Sequence, residues 1–98
     1  MRIERDVKRE IKQLLDNHGV FYEAWVPSGF GKVGLDFNAC ARGRALYIEA
    51  KAPGEYLTPR QRQTMWAAYQ AGAACFIVSS AEGLNALRAW LGRHLIRS

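Results

Sequence analysis

Residues 35–50 constrain the fold most, because two short runs rich in strand formers, 35–41 and 45–50, are separated only by Arg42-Gly43-Arg44. A glycine in so short a connection suits a tight turn, and the two runs predict a hairpin. A hairpin fixes register. A two-residue or a four-residue connection centred on Arg42-Gly43 sets Asp36 directly opposite Glu49, since both then lie equally far from the turn. A three-residue loop shifts the pairing by one and breaks that opposition.

The flanking pattern supplies the rest of an α/β fold. Ile3, Val7, Ile11, Leu14 and Leu15 recur at helical spacing, so a first helix is predicted over 3–18, with Gly19 placed to end it. Residues 20–26 are β-formers that stop at Pro27-Ser28-Gly29, which reads as a strand running into a loop that continues through Gly34. Thr58-Pro59-Arg60-Gln61 combines an N-cap threonine, proline at the first helical position and glutamine at the third, so a second helix starts there, runs to about residue 71 and ends at Gly72. Residues 74–79 form an apolar run of strand length, and Leu84, Leu87, Trp90 and Leu91 mark a third amphipathic helix. The predicted order is αβββαβα. With 98 residues, 49% of them hydrophobic, and no repeat or interdomain linker, residues 1–98 are expected to form a single domain.

Fourteen Lys plus Arg against nine Asp plus Glu gives a net charge of +5, a balance that favours polyanionic partners, with nucleic acid foremost. The apolar stretches, such as 73–78, are too short to span a bilayer, and Met1-Arg2-Ile3-Glu4-Arg5 has no signal-peptide character, so a soluble intracellular chain without membrane association is expected. Cys40 and Cys75 lack the spacing of a zinc site and are expected to be buried thiols. Trp25, Trp66 and Trp90 stand in periodic apolar contexts and are assigned to the core rather than to base stacking.

Local physics then points to a site. Two carboxylates facing each other across strands repel and weaken the sheet unless something positive sits between them. A divalent ion is the economical partner: hard cations such as Mg²⁺ take one or two carboxylates together with water and substrate phosphate. Alternation puts Lys51 on the same strand face as Glu49, where its ammonium can reach a phosphate or an attacking water. At ~100° per residue, Glu4 falls between Ile11 and Leu15, inside the inward arc of the first helix, where a carboxylate needs a partner; its alternative role is to favour the positive end of the helix dipole. Gln61 suits a capping box and also shares a stripe with Met65, Ala68 and Gly72, and the two roles can coexist. Three glycines, Ser28 and Lys32 let the 28–34 loop approach a phosphate, although its plainer role is a connection into the Asp36 strand. Ser28, Lys32 and Arg60 are the candidate nucleic-acid contacts.

Glu4 in a first helix, Gly34-Leu35-Asp36, Ile48-Glu49-Ala50-Lys51 and Thr58-Pro59-Arg60-Gln61, followed by helix and strand, together resemble the virus-type replication-repair nuclease domain, VRR-NUC, of the PD-(D/E)xK superfamily. The likeness runs from Glu4 through Ser80 and departs at Leu35, where the superfamily pattern has proline. The resemblance implies a restriction-endonuclease-like αβββαβ core with a mixed sheet. It also implies that Asp36, Glu49 and the Ala50 carbonyl bind Mg²⁺ or Mn²⁺. Lys51 would orient or activate the water, Glu4 would complete the acidic shell, and Gln61 would steady the metal site or the lysine. The activity implied is endonucleolytic hydrolysis of DNA by a stand-alone, phage-type protein in the cytoplasm of a bacterial or phage-infected cell. A homodimer acting on branched or Holliday-junction DNA is a further expectation. The alternative is a basic nucleic-acid-binding module of the same fold without catalysis.

Overall fold

The computed structural model describes residues 3–24, 35–41 and 43–95. Trp25 and the 27–34 loop, with Ser28 and Lys32, lie outside the described residues. Among those described, the elements are α1 (Glu4–Asn17), β1 (Phe21–Ala24), β2 (Phe37–Ala41), β3 (Arg44–Ala50), α2 (Pro59–Gln70), β4 (Ala74–Val78) and α3 (Ala81–Leu95). This is the αβββαβα order expected. The strands form one mixed sheet in the order β1-β2-β3-β4, antiparallel through the first three and parallel between β3 and β4. Parallel neighbours require a crossover, and α2 supplies it.

Ala41 pairs with Arg44, leaving a two-residue connection, and Gly43 adopts φ +77°, the left-handed geometry that such a tight turn demands. The ladder then runs back through Phe37 opposite Ile48. Counting that register one step past its last pair sets Asp36, just before β2, against Glu49, and the Asp36 N–H reaches the Glu49 side chain at 2.9 Å.

Alternation divides the sheet into two faces. Phe37, Ala39, Ala41, Leu46, Ile48 and Ala50 join Val7, Ile11, Leu15, Leu87 and Leu91 in one buried cluster, so α1 and α3 cover the same face. Each fully buried large aliphatic contributes about 1.5–3 kcal/mol relative to exposure, which makes this face the main source of stability. The opposite face carries Asn38, Cys40, Ala45, Tyr47, Glu49, Cys75 and Ile77, and α2 lies against it, with the Cys75 thiol 3.6 Å from the Met65 carbonyl.

Three expectations are corrected by this asymmetry. Trp66 is 60% exposed rather than core, because it lies roughly 100° around α2 from the inward residue Met65. Cys40 is exposed and Cys75 only half-buried, because both point to the thinly covered face. Trp90 is buried as expected, its ring edge-on to Phe76 at 5.9 Å between centroids. The strand predicted from residue 35 begins at Phe37, although Leu35 is itself buried. No helix among the described residues is long and apolar enough to cross a membrane.

Candidate active site

At the end of the hairpin farthest from its turn, each of the two carboxylates accepts a backbone N–H from the other strand, Glu49 from Asp36 and Asp36 from Ala50. The Asp36 N–H donates to Glu49 Oε1 at 2.9 Å, and the Ala50 N–H donates to Asp36 Oδ2 at 2.8 Å. Each side chain is 1% exposed. Hydrogen bonds to N–H donors orient both groups, and they offset part of the cost of holding two like charges across adjacent strands.

Each carboxylate also has a lysine. Lys51 Nζ lies 3.7 Å from Glu49 Oε2 and is itself largely buried. The Lys51 N–H donates to the Val78 carbonyl at 2.9 Å, so pairing with β4 continues past the end of β3 and fixes the lysine's backbone. On the other side, Lys8 of α1 places Nζ 3.4 Å from Asp36 Oδ1 and 3.3 Å from Glu4 Oε2.

Gln61 closes the capping box of α2 and also contacts Glu49. Its amide oxygen accepts from the Thr58 N–H at 2.9 Å and its own N–H donates to Thr58 Oγ1 at 3.2 Å, which closes the capping box of α2. Its amide nitrogen remains available and donates to Glu49 Oε2 at 2.7 Å. The cap therefore aims the side chain at the site. The approach to α2 is shaped by Glu55, whose Oε1 accepts from the Ala52 N–H at 2.9 Å, and by Gly54 at φ +89°.

The described structure thus brings together Asp36, Glu49, Ala50, Lys51 and Gln61, with Glu4 at the rim. Glu4 is 40% exposed and is linked to Asp36 through Lys8. Among the described residues, no group of three His, Cys, Asp or Glu side chains is drawn together, and Glu4 lies outside the inner pair of carboxylates. Arg60 is exposed at the start of α2, one residue from Gln61. Two residues were missed in the sequence. Lys8 reads there as an ordinary surface partner of Glu4 at i,i+4 spacing. Asn38 lies two residues beyond Asp36 on the same face, and its Oδ1 is buried with no hydrogen-bond partner among the described residues.

The donor set fits a hard divalent cation. Two oriented carboxylates are the complement that Mg²⁺ commonly takes from a protein, the balance being water and phosphate. In an extended strand the N–H and C=O of one residue point to the same side, so the Ala50 carbonyl leaves β3 on the side of Asp36, as its N–H does. That both carboxylates attract ammonium groups shows that the pocket favours positive charge. No protein-family model matches the chain, and no curated protein matches its sequence.

Proposed function

We propose that the chain is a divalent-metal-dependent DNA endonuclease of the VRR-NUC type, with a restriction-endonuclease-like core. The observation that carries this reading is the buried pair of carboxylates, Asp36 and Glu49, each held by a backbone N–H of the facing strand, with Lys51 on the same strand face as Glu49. An acidic pair of this kind is expensive to fold, and chemistry at a phosphate gives it a use.

Asp36, Glu49 and the Ala50 carbonyl would hold Mg²⁺ or Mn²⁺. When bound, such an ion supplies a more acidic water and neutralises charge building on the scissile phosphate. The chain's own residues do the rest. Lys51, held beside Glu49, orients the attacking water and offers a positive charge to the phosphate oxygens. Gln61 keeps Glu49 Oε2 in place from the start of α2. Arg60 and the basic surface draw in the DNA backbone, with Ser28 and Lys32 as further contacts.

One site per chain cuts one strand, so paired incision of branched DNA calls for a homodimer. Work on replicating or recombining DNA in the cytoplasm of a bacterial or phage-infected cell follows from the same reading.

The test is a Mg²⁺ and Mn²⁺ cleavage panel over linear, flapped, forked and four-way DNA, run with wild type, Asp36→Asn and Glu49→Gln. Metal-dependent cutting that falls by about 10³-fold or more in both variants, with DNA binding retained, is expected. Cutting that persists unchanged in both variants would sink the assignment. Salt-sensitive binding with no cutting at all would leave a non-catalytic binding module in its place.

A further inference from the structure

We propose that Lys8 is the resident counter-cation of the acidic pair: its ammonium holds a place against Asp36 that a divalent ion must take over, so metal binding displaces it. The inference rests on the metal-dependent reading above and adds a residue to it.

Asp36 is almost fully enclosed, and its two oxygens have different surroundings. Oδ2 accepts the Ala50 N–H at 2.8 Å, a bond built into the hairpin register. Oδ1 faces Lys8 Nζ at 3.4 Å. A cation approaching Asp36 from the side away from the backbone donor therefore meets the oxygen that Lys8 holds. Two positive centres within a few ångströms of one carboxylate oxygen repel strongly in a partly buried site.

The two lysines are not equally free to yield. Lys51 is 10% exposed and tied to the sheet by its own backbone bond to Val78. Lys8 is 29% exposed, on a flexible four-carbon stem, and its other partner is the 40% exposed Glu4, an i,i+4 pair of the weak surface kind. Swinging outward costs Lys8 little and keeps it over the site, so Lys51 stays and Lys8 moves. In this arrangement Glu4 is a rim group that steadies Lys8, which accounts for an inward-facing carboxylate that does not converge with the inner pair. Lys8 thus competes with the ion for Asp36 rather than holding it.

The experiment is calorimetric titration of Mg²⁺ and Mn²⁺ into DNA-free protein, with thermal melts in EDTA and in Mg²⁺, for wild type, Lys8→Met, Lys8→Gln and Lys8→Arg. Removing the charge should tighten metal binding on the order of tenfold. It should also lower the melting temperature in EDTA and enlarge the rise that Mg²⁺ produces, whereas Lys8→Arg should stay near wild type. A purely structural lysine would lower stability without tightening the metal. Should Lys8→Met fold only when Mg²⁺ is present, that result supports the proposal, and Lys8→Gln supplies the affinity. If wild type binds metal but Lys8→Met and Lys8→Gln bind it equally or more weakly, the displacement idea is overturned while the nuclease reading stands. If no form binds Mg²⁺ or Mn²⁺, both fall together.

Discussion

The two faces of the sheet come from the same strands and carry opposite loads. On one, Phe37, Ala39, Leu46 and Ile48 are sealed under α1 and α3; on the other, α2 leaves Cys40 and Ile77 exposed while the charged groups Asp36 and Glu49 are enclosed. Because side chains alternate strictly, neither face can shift without the other. A slip of one residue would carry Glu49 into the apolar cluster and Ile48 out of it. The packing that stabilises the fold therefore also enforces an opposition of carboxylates that the sheet alone would avoid. Apolar burial on one face, with the N–H donors and ammonium groups at the carboxylates, offsets the cost of enclosing the acidic pair on the other.

The largest expected effect separates the two faces at adjacent positions. Ile48→Ala should cost about 2–5 kcal/mol in urea unfolding, because it opens a cavity in a fully buried cluster. Glu49→Gln, one residue on, keeps an oxygen that can accept the Asp36 N–H and relieves the facing charges, but it turns an N–H toward the Gln61 donor and removes the Lys51 partner, so the opposing effects should leave a loss well below that of Ile48→Ala. A loss at Glu49 as large as that at Ile48 would show that the carboxylate is structural and would collapse the distinction between the faces.

That distinction was largely legible in the sequence, and the exceptions have physical causes. The Asp36–Glu49 opposition needed only the position of Gly43 and period-two counting, and the start of α2 needed only Thr58, Pro59 and Gln61. Lys8 was missed because a Glu4–Lys8 pair at i,i+4 spacing explains itself locally; its contact with Asp36 spans 28 residues and exists only once the hairpin lies beside α1. A signal was present, since Lys8 falls about 40° from Glu4 on the helical wheel and so at the edge of the same inward arc. Trp66 was misplaced because apolar character was weighed above angle: the stripe of Gln61, Met65, Ala68 and Gly72 already excluded it. Asn38 gave no signal, because an unpartnered buried oxygen is a property of packing.

A smaller effect tests whether α2 serves the site or only itself. Gln61→Ala removes the reciprocal half of the capping box and the Glu49 partner together while Thr58 still caps the helix, and should cost about 1 kcal/mol of stability. Gln61→Glu retains a carboxyl oxygen for the Thr58 N–H but turns an acceptor toward Glu49 Oε2 in place of the donor now 2.7 Å away. It should melt below the wild-type temperature in EDTA, because a further carboxylate then faces Glu49, and Mg²⁺-dependent cleavage should fall by about tenfold. If Gln61→Glu cleaves normally, the amide is a cap and nothing more.

The mildest comparison lies within the thinly covered face itself, between its two thiols. Cys40, opposite Phe21 and Ala45, is exposed. Cys75 is half-buried beneath α2 and donates to the Met65 carbonyl, and burial pushes its thiol above the ordinary value, with the nearby Arg44 charge opposing the rise. Only the thiolate reacts, so an alkylating reagent at neutral pH should modify Cys40 first and Cys75 several-fold more slowly. The Cys75 rate should climb with pH and level off only above the usual thiol range, because the neutral form is the one favoured by the fold. Mass spectrometry of the two peptides over a pH series measures both. Equal rates at neutral pH would mean that α2 does not shield β4, and the support that Gln61 gives Glu49 from the same helix would then lose its structural basis.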